Sequence, residues 1–413
     1  MRASLPSRDS PRGGLMGLEA LCYGLLLLAP ISLALTLVAN FTAFLVLAPG
    51  RKRRGGHAPS ITVLKPVKGN EDGLYENLAS LARQDYPDYE IRIGAEDAVD
   101  PALEVARRVQ ADHPHVRIHV QCGSRRLGLN PKVNLLAALS EKAKHDHVLI
   151  SDSNVRVGPH YLRETAAELA DPEVALVTNV LVGRDGDRLG GVLECLHLNS
   201  FVAAGASLAR VAAGRACVIG KSMLFRKRDL DAVGGFAGVS NVLAEDYVIG
   251  RRFELAGRKV ALSPHLVPTI NRGWTLERFV NRHVRWAQMR RRLSLPAYLG
   301  ELLLNPIPWM VLALCSAWAA AGRLEFRLAA AMLAGTVVKC TADALLCRKL
   351  TGKLPALGHL LLVPVKDLLL AAIWVVGAFR RTVDWRGNLF TIERGSRLVP
   401  QESPFATALE EVV

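Results

Sequence analysis

The sequence lacks the cysteine patterns of a zinc site or a redox pair. Its 413 residues include seven cysteines, and no Cys-x-x-Cys pair or zinc-ligand spacing occurs among them. We therefore interpret the seven as free, reduced thiols. Four lie in apolar segments, namely Cys22, Cys315, Cys340 and Cys347.

Glycine-rich phosphate loops are missing as well. No Gly-x-Gly-x-x-Gly and no Gly-x-x-x-x-Gly-Lys-Ser/Thr follows any predicted strand. Such loops bind the phosphates of dinucleotides and nucleoside triphosphates through backbone amides. Their absence argues against a dinucleotide-dependent enzyme and against a P-loop NTPase.

Charge is almost absent from residues 18–47, where Glu19 is the one charged residue. This segment is long enough to span a bilayer and has no signal-peptide cleavage pattern, so we expect a retained anchor. Arg51-Lys52-Arg53-Arg54 follows directly. Because basic residues favour the cytoplasmic side of a span, residue 51 onward is predicted to be cytoplasmic.

Acidic residues are the minority, with 38 Asp and Glu against 52 Lys and Arg, a formal net charge of +14. Nucleic acid is one partner for such a chain. Half of the residues are hydrophobic and the mean hydropathy is +0.20. We therefore favour an integral membrane protein whose basic edges face anionic lipid, and expect no nucleic-acid partner.

Strand and helix patterns alternate through the middle of the chain. This alternation predicts an α/β domain with a doubly wound, mostly parallel sheet. The predicted strands are 60–64, 89–94, 116–120, 148–150, 174–182, 218–225 and a last short one at 260–262. We divide the chain into a tail and anchor (1–50), a catalytic domain with interfacial helices (51–296) and a membrane region with a tail (297–413).

The apolar segments beyond the anchor differ in character. Residues 302–321 and 328–346 are predicted as two spans. Residues 189–213 contain Glu194 and Arg210, so an interfacial helix is favoured over a span. The segment 357–379 contains Lys366-Asp367 near its middle, which leaves a full span and a re-entrant segment both open.

Acids and lysines follow the predicted strands at their carboxyl ends. Asp97 and Asp100 come after the second strand and Asp152 after the fourth, while Lys65 and Lys132 lie on strand-to-helix turns. Ligands of open α/β sheets bind at this edge. A carboxylate for a hard divalent cation beside ammonium groups for phosphate indicates a nucleotide-diphosphate site, although an isolated strand-end Asp also caps helices.

Further motifs accompany these residues along the chain. In order they are Leu64-Lys65-Pro66-Val67-Lys68-Gly69, Asp97-x-x-Asp100-Pro101, Asn130-Pro131-Lys132, Asp152-Ser153, Ala244-Glu245-Asp246-Tyr247, Arg282-x-x-Arg285-Trp286 and Trp385-Arg386-Gly387. Their order resembles that of inverting family 2 glycosyltransferases and, more closely, the ceramide glucosyltransferase family, family 21. The resemblance covers roughly residues 60–295, and bacterial hopanoid glycosyltransferases share much of the pattern.

The resemblance implies a GT-A fold, a UDP-sugar donor, a divalent metal (Mg²⁺ or Mn²⁺) and a lipid acceptor reached from the cytoplasmic face. By position, Asp246 would be the catalytic base, with Arg282, Arg285 and Trp286 beside the diphosphate and acceptor. Asp152 would bind the metal, although Asp152-Ser153-Asn154 lacks a second acid. The other donor-binding positions would be Lys65, Pro66, Asp97, Asp100 and Lys132.

With this resemblance, the sequence predicts a multi-pass membrane enzyme that transfers one hexose from a UDP-sugar to a lipid hydroxyl. The transfer would invert the configuration at the sugar carbon, and ceramide is the favoured acceptor. A hopanoid or other lipid N-acetylglucosaminyltransferase, a processive polysaccharide synthase and a non-catalytic membrane scaffold remain alternatives. Glu245 adjoins Asp246 and is interpreted as a supporting or solvated acid. The sequence indicates no obligate protein partner.

Overall fold

The computed structural model describes residues 12–47, 58–69, 71, 73–214, 217–385 and 388–400, with the side chains of 12–19 and 21 excepted. The basic run at 51–54 and the pair Arg386-Gly387, both used in the sequence argument, lie outside the described residues.

A seven-stranded sheet forms the centre of the catalytic domain, in the order β3-β2-β1-β4-β6-β5-β7. All neighbours are parallel except β6, which runs antiparallel to both β4 and β5. The predicted mostly parallel sheet is therefore confirmed. The strands are β1 Ile61–Pro66, β2 Tyr89–Ala95, β3 Arg117–Cys122, β4 His147–Ser151, β5 Val174–Arg184, β6 Ser222–Arg226 and β7 Lys259–Ile270.

Helices cover both faces of this sheet. Val148 and Ile150 of β4 belong to one apolar cluster and Leu149 to another, because successive side chains of a strand point to opposite faces. The helices of the domain are α2 Leu74–Ala82, α3 Ala102–Asp112, α4 Pro131–Glu141, α5 Tyr161–Ala166, α6 Leu189–His197, α7 Ala203–Ala212, α8 Lys227–Ala232, α9 Glu245–Leu255 and α10 Leu276–Leu293.

Two strands differ from their predicted bounds. The strand expected at 260–262 is the start of β7, whose pairing with β5 continues past a register shift after Asn179. Pro264 and Pro268 interrupt its sequence pattern, but β7 is an edge strand and tolerates proline there. The strand expected at 218–225 begins at Ser222, because the preceding residues form a turn into the site.

The C-terminal segment forms a second sheet. The prediction that the strand at 260–262 is the last one was therefore wrong. The strands of this second sheet are β8 Thr382–Trp385, β9 Asn388–Ile392 and β10 Leu398–Pro400, all antiparallel. Hydrogen bonds join it to the catalytic domain. The amide of Leu398 donates to the carbonyl of Asn241 at 2.8 Å.

Within the described residues, four helices are long and apolar enough to cross a membrane. A fifth candidate is a pair of helices whose axes differ by 64°. The four are Cys22–Val46 of α1 (Arg12–Val46), the α6–α7 segment Leu189–Ala212, α13 (Phe326–Thr351) and α14 (Leu357–Phe379). The bent pair is α11 (Leu295–Leu302) and α12 (Pro306–Ala321).

Two of these apolar segments have both ends on the catalytic domain. Arg184 donates to the carbonyl of Thr351 at 2.7 Å, just before α14, and Gln288 donates to the carbonyl of Thr382 at 2.8 Å, just after it. The α6–α7 segment qualifies as a candidate span by length and composition but is 67% buried, and the expectation that it does not span stays a prediction. A straight crossing would place the two ends of α14 on opposite sides of a membrane.

Ion pairs explain how α14 carries Lys366 and Asp367 in an apolar helix. Lys339 of α13 pairs with Asp343 at 2.7 Å and also with Asp367, while Lys366 lies 2.8 Å from Asp367. Asn40 of α1 donates to Asp343 at 3.0 Å. A buried charge without a partner is strongly unfavourable, so this cluster joins α1, α13 and α14 at one level.

Candidate active site

A cavity of about 670 Å³ opens at the carboxyl edge of the parallel strands. Its size is typical of ligand sites. Of the residues predicted as functional, it is lined by Pro66, Lys132, Asp152, Asp246, Arg282, Arg285 and Trp286. The tertiary structure thus brings together side chains from β1, β4, α4, α9 and α10.

Lys132 connects the two acidic motifs. It lies in the first turn of α4, which Asn130 caps by accepting a hydrogen bond from the amide of Val133 at 3.0 Å. Its ammonium lies 3.0 Å from a carboxylate oxygen of Asp152 and 3.0 Å from one of Glu245. Burial alone would lower the pKa of Lys132, but these carboxylates raise it above its usual value. Lys132 is therefore a fixed cation at the strand edge.

Lys65 lies beneath the cavity rather than on its surface. Its side chain is fully buried and donates to the hydroxyl of Ser151 at 3.1 Å and to the carbonyl of Asp152. Burial lowers the pKa of Lys65 to about 7. This geometry makes Lys65 a support for the loop after β4.

Asp97 and Asp100 follow β2 as predicted, outside the lining of the cavity. Asp100 accepts hydrogen bonds from the amides of Gly69 and Ala102, both at 2.9 Å. Asp97 accepts one from the amide of Val99 at 3.1 Å. Asp100 therefore fixes the turn after β1, and a role of either acid in nucleoside binding stays a prediction.

Asp246 lies at the start of α9, one residue after Glu245. The amide of Gly220 donates to its carboxylate at 2.7 Å, and a Cβ at Gly220 would lie only 2.7 Å from the same oxygen. Burial, followed by the negative charge of Glu245, raises the pKa of Asp246 to about 6. Such a carboxyl is suited to accept a proton near neutral pH. Glu245 also lines the cavity, is largely buried and pairs with Lys132, which favours the interpretation of a supporting acid.

The basic motif of α10 is held by aromatic rings and by a buried acid. The guanidinium of Arg282 lies 5.0 Å from the ring centre of Trp274 and 4.3 Å from that of Trp286. Glu194 of α6 is fully buried, 3.4 Å from Arg282 and 2.7 Å from His283. Burial lowers the pKa of His283. Glu194 thus orients the cationic side of the cavity.

Several lining residues were not predicted from the sequence. Lys221 donates to Asn154 at 2.7 Å and to Thr269 at 3.0 Å, and burial, followed by the charge of Arg282, lowers its pKa to about 7. No periodicity or motif marks a lysine before a strand. Other lining residues to which the sequence assigned no role in the site include Glu71, Trp274, Arg278 and Met289, and Trp385, which was noted only as part of a matching motif.

One carboxylate is available for a divalent metal at the end of β4. Among the described residues, no group of three or more His, Cys, Asp or Glu side chains is placed to hold a metal ion. Asp152 lines the cavity, however, and a cation that bridges phosphates needs only one or two protein carboxylates. The side chains present therefore fit a metal held jointly by Asp152 and a diphosphate.

Comparison with solved structures supports the same fold. A mannosyltransferase from Pyrobaculum calidifontis, solved in complex with GDP-Man and Mn²⁺, superposes with a TM-score of 0.54 at 19% identity. The match covers 88% of this chain and 99% of that one. With the mostly parallel sheet, this likeness confirms the predicted GT-A-type fold.

Relatives by sequence include two proteins of Caenorhabditis elegans. Ceramide glucosyltransferase 3 is 26% identical over 351 residues, which cover 83% of this chain and 74% of that protein. Ceramide glucosyltransferase 1 is 29% identical over 238 residues, which cover 56% of this chain and 50% of that protein. The resemblance inferred from the motifs is confirmed.

The model of glycosyl transferase family 21 matches residues 27–398, from the first apolar helix to the last strand. It therefore includes the cavity, the apolar helices and the C-terminal sheet together. The chain belongs to glycosyl transferase family 21 and is a glycosyltransferase.

Proposed function

We propose that this enzyme moves a single glucose from UDP-glucose to the primary hydroxyl of ceramide, with inversion at the sugar carbon. The observation that carries the proposal is one cavity in which Lys132 and Asp152 lie beside Asp246. That cavity is built partly from α10, whose end leads into the apolar helices. The names of the relatives support ceramide as the acceptor.

The donor's diphosphate is proposed to lie along the cationic side of the cavity. Lys132 and Lys221 flank Asp152 from two elements, and Arg282 and Arg285 face them from α10. Lys132 and the two arginines supply positive charge here, which stabilises the charge that grows on the leaving UDP. A divalent metal bound to Asp152 would supply further Lewis-acid stabilisation of that diphosphate.

Asp246 is proposed as the general base. Its carboxylate is held by the amide of Gly220 and is part of the same cavity wall as Trp286. As the acceptor oxygen attacks the anomeric carbon, the carboxylate takes the proton from the hydroxyl and the bond to UDP breaks. One in-line displacement of this kind inverts the sugar carbon.

We propose an orientation in the membrane as well. The middle of the chain (51–296) is proposed to be cytoplasmic, where UDP-sugars are available, with the anchor (1–50) before it and the membrane region (297–413) after it. The hydrogen bonds that join Ser396 and Leu398 to residues 241–244 support the same side for the C-terminal sheet.

The decisive experiment incubates the purified full-length protein with radiolabelled UDP-glucose, UDP-galactose or UDP-N-acetylglucosamine and a panel of lipid alcohols. Labelled glucosylceramide with a β linkage is the expected product. The Asp246→Asn variant is the inactive control and should keep its affinity for UDP. Labelling of a hopanoid, or of a growing polymer, would replace the proposed acceptor.

A further inference from the structure

One side of the cavity is apolar, in contrast to the charged side around Lys132. We name Leu243, Trp286, Met289 and Trp385 the apolar wall, since all four line the cavity that contains Asp246. They come from three separate parts of the chain: the loop before α9, the helix α10 and the strand β8.

The C-terminal sheet packs against the residues of this wall. Leu243 packs in a buried cluster with Val383, Phe390, Ile392 and Leu398, and Met289 and Trp385 pack against the edge of that cluster. Trp385 is the last residue of β8, opposite Asn388 of β9. The sheet therefore presents the indole at its tip to the cavity.

Hydrogen bonds hold the sheet in register with the proposed base. The amide of Leu243 donates to the carbonyl of Ser396 at 2.9 Å, and the amide of Ala244 donates to its hydroxyl at 3.1 Å. Ser396 is fully buried and has a positive φ of 63°. An ordinary side chain adopts this conformation only where its surroundings impose it. Leu243, the wall residue that these bonds hold, thus lies three residues before Asp246.

The wall also lies where the apolar helices join the catalytic domain. Met289 is near the end of α10, which continues into α11 and α12, and Trp385 follows closely after α14. Gln288 donates to the carbonyl of Thr382 at 2.8 Å and keeps these two junctions together. A molecule moving from a bilayer toward Asp246 would meet Met289 and Trp385.

We infer that the apolar wall is the acceptor subsite and binds the hydrocarbon adjacent to the reacting hydroxyl of the lipid. This inference rests on the proposed function and names the surface that would select a lipid over a soluble alcohol. Trp286 also stacks on Arg282 of the charged side, so changes at Met289 or Trp385, rather than at Trp286, should act on the acceptor alone. Burying apolar surface of a ligand stabilises the complex in proportion to the area buried.

The test compares Trp385→Ala and Met289→Ala with the wild-type full-length enzyme in lipid nanodiscs. The acceptor KM should rise about tenfold or more in each, the equivalent of about 1.4 kcal/mol. The affinity for UDP, measured by calorimetry, should stay within about twofold because no phosphate or nucleoside contact is removed. Trp385→Phe should restore most of the acceptor affinity.

Leu389→Ala is the matched control, because Leu389 lies on β9 of the same sheet and is 59% exposed. It should change neither affinity. Thermal midpoints identify any variant that fails to fold, and Met289→Ala, on α10, then remains as the second test.

Acceptor KM values that stay at the wild-type level in both wall variants would overturn the inference, as would an equal loss of UDP affinity. If the wild type glycosylates another lipid alcohol but no ceramide, the proposed acceptor fails. The acceptor KM of the same variants is then measured with that lipid. The inference about the apolar wall is thus tested independently of the proposed acceptor.

Discussion

Asp246 should set the low-pH limit of activity. Its pKa is raised to about 6 by burial and by Glu245, and a general base must be ionised, so kcat/KM should fall as the pH drops through about 6. In Glu245→Gln one negative charge is removed, the pKa of Asp246 falls, and the acidic limb should move to lower pH. Initial rates across about pH 4.5 to 8 measure both profiles. Superimposable profiles of the two enzymes would contradict this assignment.

Asp152 should account for the metal dependence. With one carboxylate at the strand end, EDTA should abolish transfer, and Mg²⁺ or Mn²⁺ should restore it. Asp152→Ala should lose transfer and should also bind UDP no more tightly when metal is added, which calorimetry measures. Glu96→Ala, which removes an exposed acid directly after β2 and outside the cavity lining, is the matched control for removal of an acid at the same edge. Full activity in EDTA would exclude the metal-dependent scheme.

Glu194 should act through Arg282 and His283. Glu194→Gln keeps the size of the side chain but removes the charge that Arg282 faces at 3.4 Å. We expect kcat/KM to fall about tenfold or more and UDP affinity to weaken, since the guanidinium is no longer fixed between its tryptophans. Glu254→Gln, which removes a comparable partner of Arg251 at 2.8 Å away from the cavity, is the control. Equal effects of the two changes would assign Glu194 a purely structural role.

At the scale of elements, the close packing of α14 on α10 depends on Gly377. A Cβ at this position would lie 2.4 Å from the Cβ of Ala287. Gly377→Ala should therefore push α14 away from the helix that carries Arg282 and Trp286, and lower both the thermal midpoint and the rate of transfer. Overpacking of this kind typically costs about 1–3 kcal/mol.

The same helix contains a matched control for the Gly377→Ala change. Gly358, in the first turn of α14, has no atom within 4 Å of an added Cβ, so Gly358→Ala should be neutral or slightly stabilising. Adding Ala287→Gly to Gly377→Ala should recover part of the loss, because the clashing methyl group is gone. A double variant as impaired as Gly377→Ala alone would disprove the contact as the cause.

At the scale of the whole molecule, we predict that α14 does not cross the membrane. Thr351 before it and Thr382 after it accept hydrogen bonds from the catalytic domain, one of its faces is buried, and the opposite face is apolar and exposed. Such a helix is suited to lie in the membrane interface with its apolar face toward lipid. The exposed residues of that face are Leu357, Leu361, Val365, Leu368, Val375 and Phe379.

Single cysteines in a cysteine-free background test this arrangement in intact cells. Leu324, in the turn between α12 and α13, and Leu354, between α13 and α14, are both exposed. An impermeant maleimide should label Leu324→Cys and should label Leu354→Cys only after the membrane is permeabilised. A cysteine at Leu389 on the C-terminal sheet should behave like Leu354→Cys. Labelling of Leu389→Cys from outside would make α14 a full span.

The sequence by itself determined the alternating strands and helices, the acid at the end of β4 and the order of the family motifs. These are local properties. A buried strand needs an apolar run such as Val148-Leu149-Ile150, and Asn130-Pro131 begins a helix wherever it folds. Because parallel strands present their carboxyl ends at one edge, the meeting of Lys132 with Asp152 was also predictable.

Only the tertiary structure decided the rest of the site. Trp385 reaches the cavity because the chain returns after α14 and pairs with the loop before Asp246. The motif Trp385-Arg386-Gly387 marks this residue in the sequence, but it does not say that the residue reaches the cavity. Glu194 is marked by the sequence only as a charge in an apolar segment, and its partners are 88 and 89 residues away along the chain. For the same reason, Lys366 and Asp367 left open whether the segment 357–379 is a full span or a re-entrant segment. Asp367 pairs both with Lys366 of its own helix and with Lys339 of α13, and whether a buried charge is paired in this way depends on contacts between distant segments.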